Sequence, residues 1–208
     1  MATGFSDSEQ ARRDHLSKAT SLARKVHKDA KEMQEIYRQK QGLSEEFSYD
    51  EVDGIPSSGV SKWNELSDEE RLRANASAFH SLHCFLGIVL KEQREDLTPE
   101  DGEFHEALLS LLAQVETLAE STKQLLLMFG HVPPSNGISS PEQDLTYFKK
   151  KLRGYKVLLE LSTWALRATR DFTKLQKQST RITSTMAAPA MRSASRQKNQ
   201  KKRGGYGR

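Results

Sequence analysis

Apolar residues recur along this chain at alternating three- and four-residue steps in four stretches, and no stretch keeps the two-residue alternation of a strand. The first stripe is Leu16, Ala19, Ala23, Val26, Ala30, Met33 and Tyr37, and it stops near Gly42, a natural helix C-cap. The second is Leu72, Phe79, Leu82, Leu86 and Val89; it opens on "SDEE", where Ser67 and Glu70 have capping-box spacing. The third is Phe104, Leu108, Leu111, Val115, Leu118, Leu125 and Phe129, and the "TPED" before it predicts Thr98 as N-cap and Pro99 as first helical residue. The fourth is Leu152, Tyr155, Leu159, Ser162, Leu166 and Thr169, widened by Leu158, Leu161 and Ala165, with Trp164 in or near the core. These stripes predict helices A over about 9–41, B over 68–96, C over 99–129 and D over 144–178, within one domain spanning 9–179. Residues 1–8 are expected to be a flexible N-terminus and 180–208 a disordered basic tail.

Loop lengths then select a topology. Helices of this size are roughly 45 Å long at about 1.5 Å per residue, so a connection that returns along one needs at least about 13 residues at ~3.3–3.6 Å each. The A to B and C to D connections are long enough, whereas B to C is a tight turn. A and B can therefore run parallel, C antiparallel to B, and D parallel to C. That is the all-α, up-up-down-down order of a long-chain four-helix bundle cytokine; a plain up-down bundle with decorated loops is the alternative.

Composition changes the picture in one respect. The 208 residues carry a net charge of +4, but Arg192, Arg196, Lys198, Lys201, Lys202, Arg203 and Arg208 lie in the tail, and removing those seven from the total leaves −3. The fold itself is not basic, which argues against nucleic-acid binding. The tail is either a solvated extension or a polyanion contact. "CFLGIVL" and "LLLMF" are too short to span a membrane, so no insertion is expected. "MATGFSDSEQARRDH" lacks the apolar core of a signal peptide, and Cys84 is a single thiol. Both suit cytoplasmic synthesis, with release by an unconventional route for any extracellular role. His80, His83 and Cys84 have no second cluster to complete a metal site, Cys84 falls among core positions, and "GIPSSG" and "RGGYG" do not sit between strand and helix as a phosphate cradle requires. The expectation is a protein that is not an enzyme and holds no cofactor or metal.

One local pattern runs against helix electrostatics. "LTYFKKKLRG" puts Lys149, Lys150 and Lys151 in the first turns of helix D, where the macrodipole disfavours cations by about 0.3–1 kcal/mol each. Phe148 and Lys151, three residues apart, share one side of that helix end. Phe148 either anchors a partner or extends the core stripe from Leu145 to Leu152; Lys149 and Lys150 fit a solvated face.

The stretches "RRDHLSKATSLARKVHKDA", "YRQKQGL", "DGIPSSGVSKWNELSDEERL", "LTPEDGEFHEALLSLLAQV" and "YFKKKLRGYKVLLELSTWALRATRDF" closely resemble the ciliary neurotrophic factor family of interleukin-6-class long-chain helical cytokines. The resemblance implies a growth factor supporting neuronal survival and differentiation through JAK-STAT type signalling. It implies three partners: ciliary neurotrophic factor receptor alpha, the leukaemia inhibitory factor receptor and the glycoprotein 130 receptor chain. Phe148 and Lys151 match the family's aromatic and lysine that engage the leukaemia inhibitory factor receptor. Trp63, Arg24 and Arg167 match positions of its alpha-receptor surface, and His27 stands where the family has a further arginine. With Thr163 and Arg170 these form the expected alpha-receptor site, which the topology places at the other end of the bundle from Phe148; Trp63 also suits a lid on the core. A third surface, on helices A and C, does not resolve to residues. A cardiotrophin-like relative and a cytosolic helical scaffold are the alternatives.

Overall fold

The computed structural model describes the backbone of residues 3–44, 54–135 and 145–200, and side chains within 7–44, 54–135 and 145–179. Four helices carry the fold: α1 (Thr3–Gln41), α2 (Asp68–Glu92), α3 (Gly102–Met128) and α4 (Tyr147–Gln200). A short 3-10 turn, Trp63–Glu65, precedes α2, and a π turn, Gln93–Leu97, follows it. There is no strand among the described residues.

Hydrogen bonds between helices give their directions. Along the α1–α4 seam, Arg13 donates to the carbonyl of Ser179, Gln34 to the Tyr155 hydroxyl and Lys151 to the carbonyl of Gln41. Rising numbers on one helix meet falling numbers on the other, so the two are antiparallel. Asn75 with Asp171 and Glu92 with Arg153 make α2 antiparallel to α4 as well. His15 against Ser121 and Lys40 against Asp101 do the same for α1 and α3. The helices α1 and α2 therefore run one way and α3 and α4 the other: the up-up-down-down order expected from loop lengths.

Each stripe can be checked against burial. All seven positions of the α1 stripe are buried, as are all five of α2. Phe104, Leu108, Leu111, Val115, Leu118 and Leu125 are buried in α3, with Phe129 packed partly against the core. The α1 stop is a Schellman motif: Gly42 takes φ +64°, its N–H reaches the Gln39 carbonyl, that of Leu43 reaches Arg38, and Leu43 is buried. The capping box of α2 forms as its spacing predicts, with Ser67 accepting from the Glu70 N–H and Glu70 accepting from the Ser67 N–H.

Four expectations need correction. Thr98 does not cap α3. Its N–H closes the π turn on the Gln93 carbonyl, Pro99 occupies the second position of a turn from Thr98 to Asp101, and the carboxylate of Asp101 caps the helix by accepting from Phe104 N–H. The buried face of α4 is rotated from the stripe expected: its centre is Leu152, Val157, Leu158, Leu161, Trp164, Ala165, Ala168, Phe172 and Leu175, with Tyr155, Leu159, Leu166 and Thr169 at the margin. The cause is that α4 packs on α1, on α2 and under the segment before α2, where the Trp164 indole donates to the Pro56 carbonyl at 3.0 Å. Cys84 is half-buried at the edge of the core rather than within it. The helices also outrun the expected 9–179: α1 starts at Thr3 and α4 continues to Gln200. Residues 180–200 include four Ala, three Arg and two Gln, good helix formers, alongside Ser, Thr and a single Pro189.

Candidate functional site

The first turns of α4 lie beside the last turns of α1 and α2, because the former helix runs down and the latter two run up. Lys151 Nζ donates at 3.1 Å to the carbonyl of Gln41, the last residue of α1. Its charge therefore sits at the negative end of another helix dipole, which offsets the penalty expected from its own. Lys150 pairs with Asp96 in the π turn at 2.6 Å, and that bond raises its pKa above the ordinary lysine value. Of the lysine run, two members have structural partners. Phe148 does not join the core: it is 47% exposed, beside Tyr147 at 62%.

Beneath this apolar pair the helix is locked. Arg153 and Glu92, 3% and 7% exposed, form a buried ion pair between α4 and α2. Gly154 lies against Tyr37, whose hydroxyl accepts from Gln93; Gln41 donates to Gln93 in turn, and so does the Thr98 hydroxyl. Burial pushes the Tyr37 phenol well above its ordinary pKa, so it remains a neutral hydrogen-bonding group. The fixed polar cluster ties the ends of α1 and α2 to the start of α4, leaving Tyr147 and Phe148 as the protruding turn.

A second constellation forms around the 3-10 turn. The ring of Trp63 meets that of Trp164 edge to face at 5.6 Å, and the Arg167 guanidinium lies 4.3 Å above Trp63. Burial against the two indoles pushes the Arg167 pKa below its ordinary value. Trp63 is half-buried and packs on the core, so it is both a lid and an exposed edge. Its indole donates to Asp171 at 3.3 Å, and Asp171 also accepts from Asn75. Arg71 fixes the turn from below, donating to the carbonyls of Trp63, Asn64 and Leu66. That support matters because the turn enters through Lys62, a non-glycine residue with φ 63°.

The remaining expected residues fall around α4. Thr163 and Arg170 are exposed on it; Arg24 is exposed on α1 and shares a groove with Arg170. His27 is half-buried, and its Nδ1 donates to the Ser162 carbonyl at 2.8 Å. Trp63 and Arg167 touch directly, Arg24 and Arg170 line one groove, and His27 is held by its backbone contact to α4. Arg167 is nineteen residues beyond Phe148, about 28 Å at ~1.5 Å per residue, so the two constellations are separate but not at opposite extremes of the bundle. The sequence pattern does not single out Asn75, Arg71 or Asp171. The available signal is a polar residue at a stripe position: Asn75 fills the gap between Leu72 and Phe79.

The other candidates for chemistry are plain. Cys84 is a free thiol whose pKa burial raises, which lowers its nucleophilicity. His80 and His83 border a cavity between α2 and α3 lined also by Glu116 and Glu120, but no group of three or more His, Cys, Asp or Glu among the described residues is placed to hold a metal. No helix among the described residues is long and apolar enough to cross a membrane.

Long helices in up-up-down-down order around one core are the architecture of a long-chain helical cytokine. The sequence profile of ciliary neurotrophic factor matches residues 1–192. Similar proteins include the ciliary neurotrophic factors of Sus scrofa, 39% identical over 163 residues (77% of this chain, 82% of the relative), and Homo sapiens, 36% over 174 residues (82% and 87%). That of Gallus gallus is 35% identical over 147 residues (70% and 75%). The chain belongs to the ciliary neurotrophic factor family, whose members are cytokines and not enzymes.

Proposed function

We propose that this chain is a neurotrophic signal that supports neuronal survival and differentiation by bringing together an alpha receptor and two transducing receptors, with JAK-STAT type output. The alpha receptor, of the ciliary neurotrophic factor receptor alpha type, takes the face carrying Trp63, Arg167, Arg170, Thr163, Arg24 and His27. The leukaemia inhibitory factor receptor takes Phe148 and Lys151, and the glycoprotein 130 receptor chain is the third partner. The protein acts outside the cell after release from the cytoplasm. The basic tail is a further contact for polyanions. The observation that carries the assignment is Phe148, an aromatic 47% exposed on a turn anchored by Lys150, Lys151, Arg153 and Gly154. A rigidly presented aromatic side chain suits an interface hot spot, where an anchor fills a pocket on the partner. The Arg167 and Trp63 stack supports the second face in the same way, since both residue types are enriched at hot spots.

The test is receptor binding with purified ectodomains, together with signalling in cells that bear all three receptors. Phe148→Ala should cost about 2 kcal/mol or more in transducing-receptor binding and leave alpha-receptor binding intact. Trp63→Ala and Arg167→Ala should do the reverse. Silence of the unaltered protein at saturating concentration on such cells would sink the proposal, and so would loss of both receptors together from Phe148→Ala in a protein that still melts normally.

A further inference from the structure

An open groove of about 550 Å³ runs along the α1–α4 seam, and Arg24, Arg170, Lys174 and Lys177 line it. We infer that this groove binds a sulfated polysaccharide. The rest of its described lining is Thr and Gln, with no carboxylate among the described residues. Lys174 reaches Asp68 at 3.1 Å on its α2 side, but Arg24, Arg170 and Lys177 have no ion-pair partner among the described residues, and all four cations are exposed. The chain without its tail cations is net acidic, so four cations in one groove are a local concentration against an opposing background. Like charges held together without counter-charges repel one another, and a multivalent anion relieves that repulsion at several points at once.

The lining selects the class of anion. Nucleic acid bound as a single strand is held by aromatic stacking as well as charge, and no aromatic is among the described residues that line this groove. A membrane surface is bound by inserting large apolar side chains beside the cations, and no Leu, Ile, Val, Met, Phe or Trp is among the described residues that line the groove. A sulfated polysaccharide asks only for a row of cationic donors that a linear chain can follow. The groove supplies that row: Thr169 to Lys177 spans about 12 Å at ~1.5 Å per residue along α4, with Arg24 opposite on α1. Arg24 and Arg170 also belong to the face proposed above for the alpha receptor, so polysaccharide and receptor would contend for two arginines. The inference itself does not depend on that receptor.

The experiment uses the full chain on immobilised heparin at rising sodium chloride, with no receptor present, so that its outcome is independent of receptor binding. One variant carries Arg170→Gln and Lys177→Gln. A second carries Gln at Arg192, Arg196, Lys198, Lys201, Lys202 and Arg203, with chain length kept. The groove variant should bind heparin at least tenfold more weakly and with a shallower salt dependence, and the tail variant should lose less. The conservative exchange Arg170→Lys with Lys177→Arg should retain binding, which separates lost charge from lost fold. Desulfated heparin should bind poorly, and single-stranded DNA of matched charge should compete less well than heparin. Unchanged affinity of the groove variant, a greater loss in the tail variant, equal binding of desulfated heparin or equal competition by DNA would each overturn the inference.

Discussion

Gly154→Ala is expected to destabilise this protein, although the same change in an open helix stabilises by about 0.5–1 kcal/mol. Gly154 is buried within α4, and a Cβ there would lie 2.9 Å from Cε2 of Tyr37 and closer still to Cζ and Oη. Tyr37 is fully buried, with its ring tilted against Phe104 at 6.1 Å and its hydroxyl holding Gln93 at 3.1 Å. It cannot retreat without breaking that packing or that bond. Overpacking a tight core costs about 1–3 kcal/mol, and a buried Gln93 that loses a partner adds about 1–3 kcal/mol. Less the helix-propensity gain, the net cost is about 3 kcal/mol. Urea unfolding followed by circular dichroism gives the measurement: with a slope of roughly 1–3 kcal/mol per molar, the midpoint should fall by about 1 M or more. A double-mutant cycle sharpens it, because Tyr37→Phe removes the hydroxyl and should cost less in the Gly154→Ala background than in the unaltered chain. An unchanged or raised midpoint for Gly154→Ala would refute the close approach as the reason for a glycine here.

Glu92→Gln leaves the buried Arg153 guanidinium without Glu92's opposing charge and should cost about 3–5 kcal/mol by the same assay; a loss under about 1 kcal/mol would mean the pair is dispensable. Lys151→Ala removes the donor to the Gln41 carbonyl and should destabilise by about 0.5–1.5 kcal/mol, whereas relief of the α4 dipole alone would raise the melting temperature. Acid should weaken the caps. The Ser67 bonds hold Glu70, and Lys40 chiefly holds Asp101, below ordinary carboxylate values, so their stabilisation is full above that range and lost as pH falls through the depressed values. Asp171 runs the other way: burial raises its pKa, so its ionised form weighs on the fold above that value and the burden lifts on acidification. Melting temperature should therefore fall on acidification below the ordinary carboxylate range, and more gently in Glu70→Gln and Asp101→Asn; identical acid slopes in all three proteins would remove the caps from the account.

How far the sequence carries depends on what surrounds each element. In α1 one stripe faces one core, and every expected position is buried. In α4 a wider arc is covered, so the pattern reads equally well about two centres, and the stripe through Tyr155 and Leu159 is rotated from the one observed. The capping box is legible because Ser67 and Glu70 are three residues apart. The cap of α3 is not, because Thr98 is recruited by Gln93 in a π turn that spacing does not announce. The same holds at the candidate sites. Phe148 reads as anchor or core, and only its exposure removes the second reading. The partner of Lys151 is a carbonyl 110 residues away, beyond the reach of any local pattern. The Trp63 turn is visible as a tryptophan in a polar loop, while the Asp171, Asn75 and Arg71 bonds that hold it come from three-dimensional packing.

The α1–α4 seam also bears on how the chain acquires its structure. Its bonds join residues 110 to 166 positions apart, so the first helix closes its face only after the last has been synthesised. Contacts of such separation are slow to form, because a long loop must be ordered before they return any stabilisation. While it waits, α1 shows solvent a stripe containing Ala19, Ala23 and Ala30, a much smaller apolar surface than leucine would present at those positions. A nascent helix with three alanines in its stripe offers a wrong partner less than one with leucine at those positions would, at a stage when incomplete chains are most prone to association. The small residues buried in the final fold thus also reduce the apolar surface that the unfinished chain exposes.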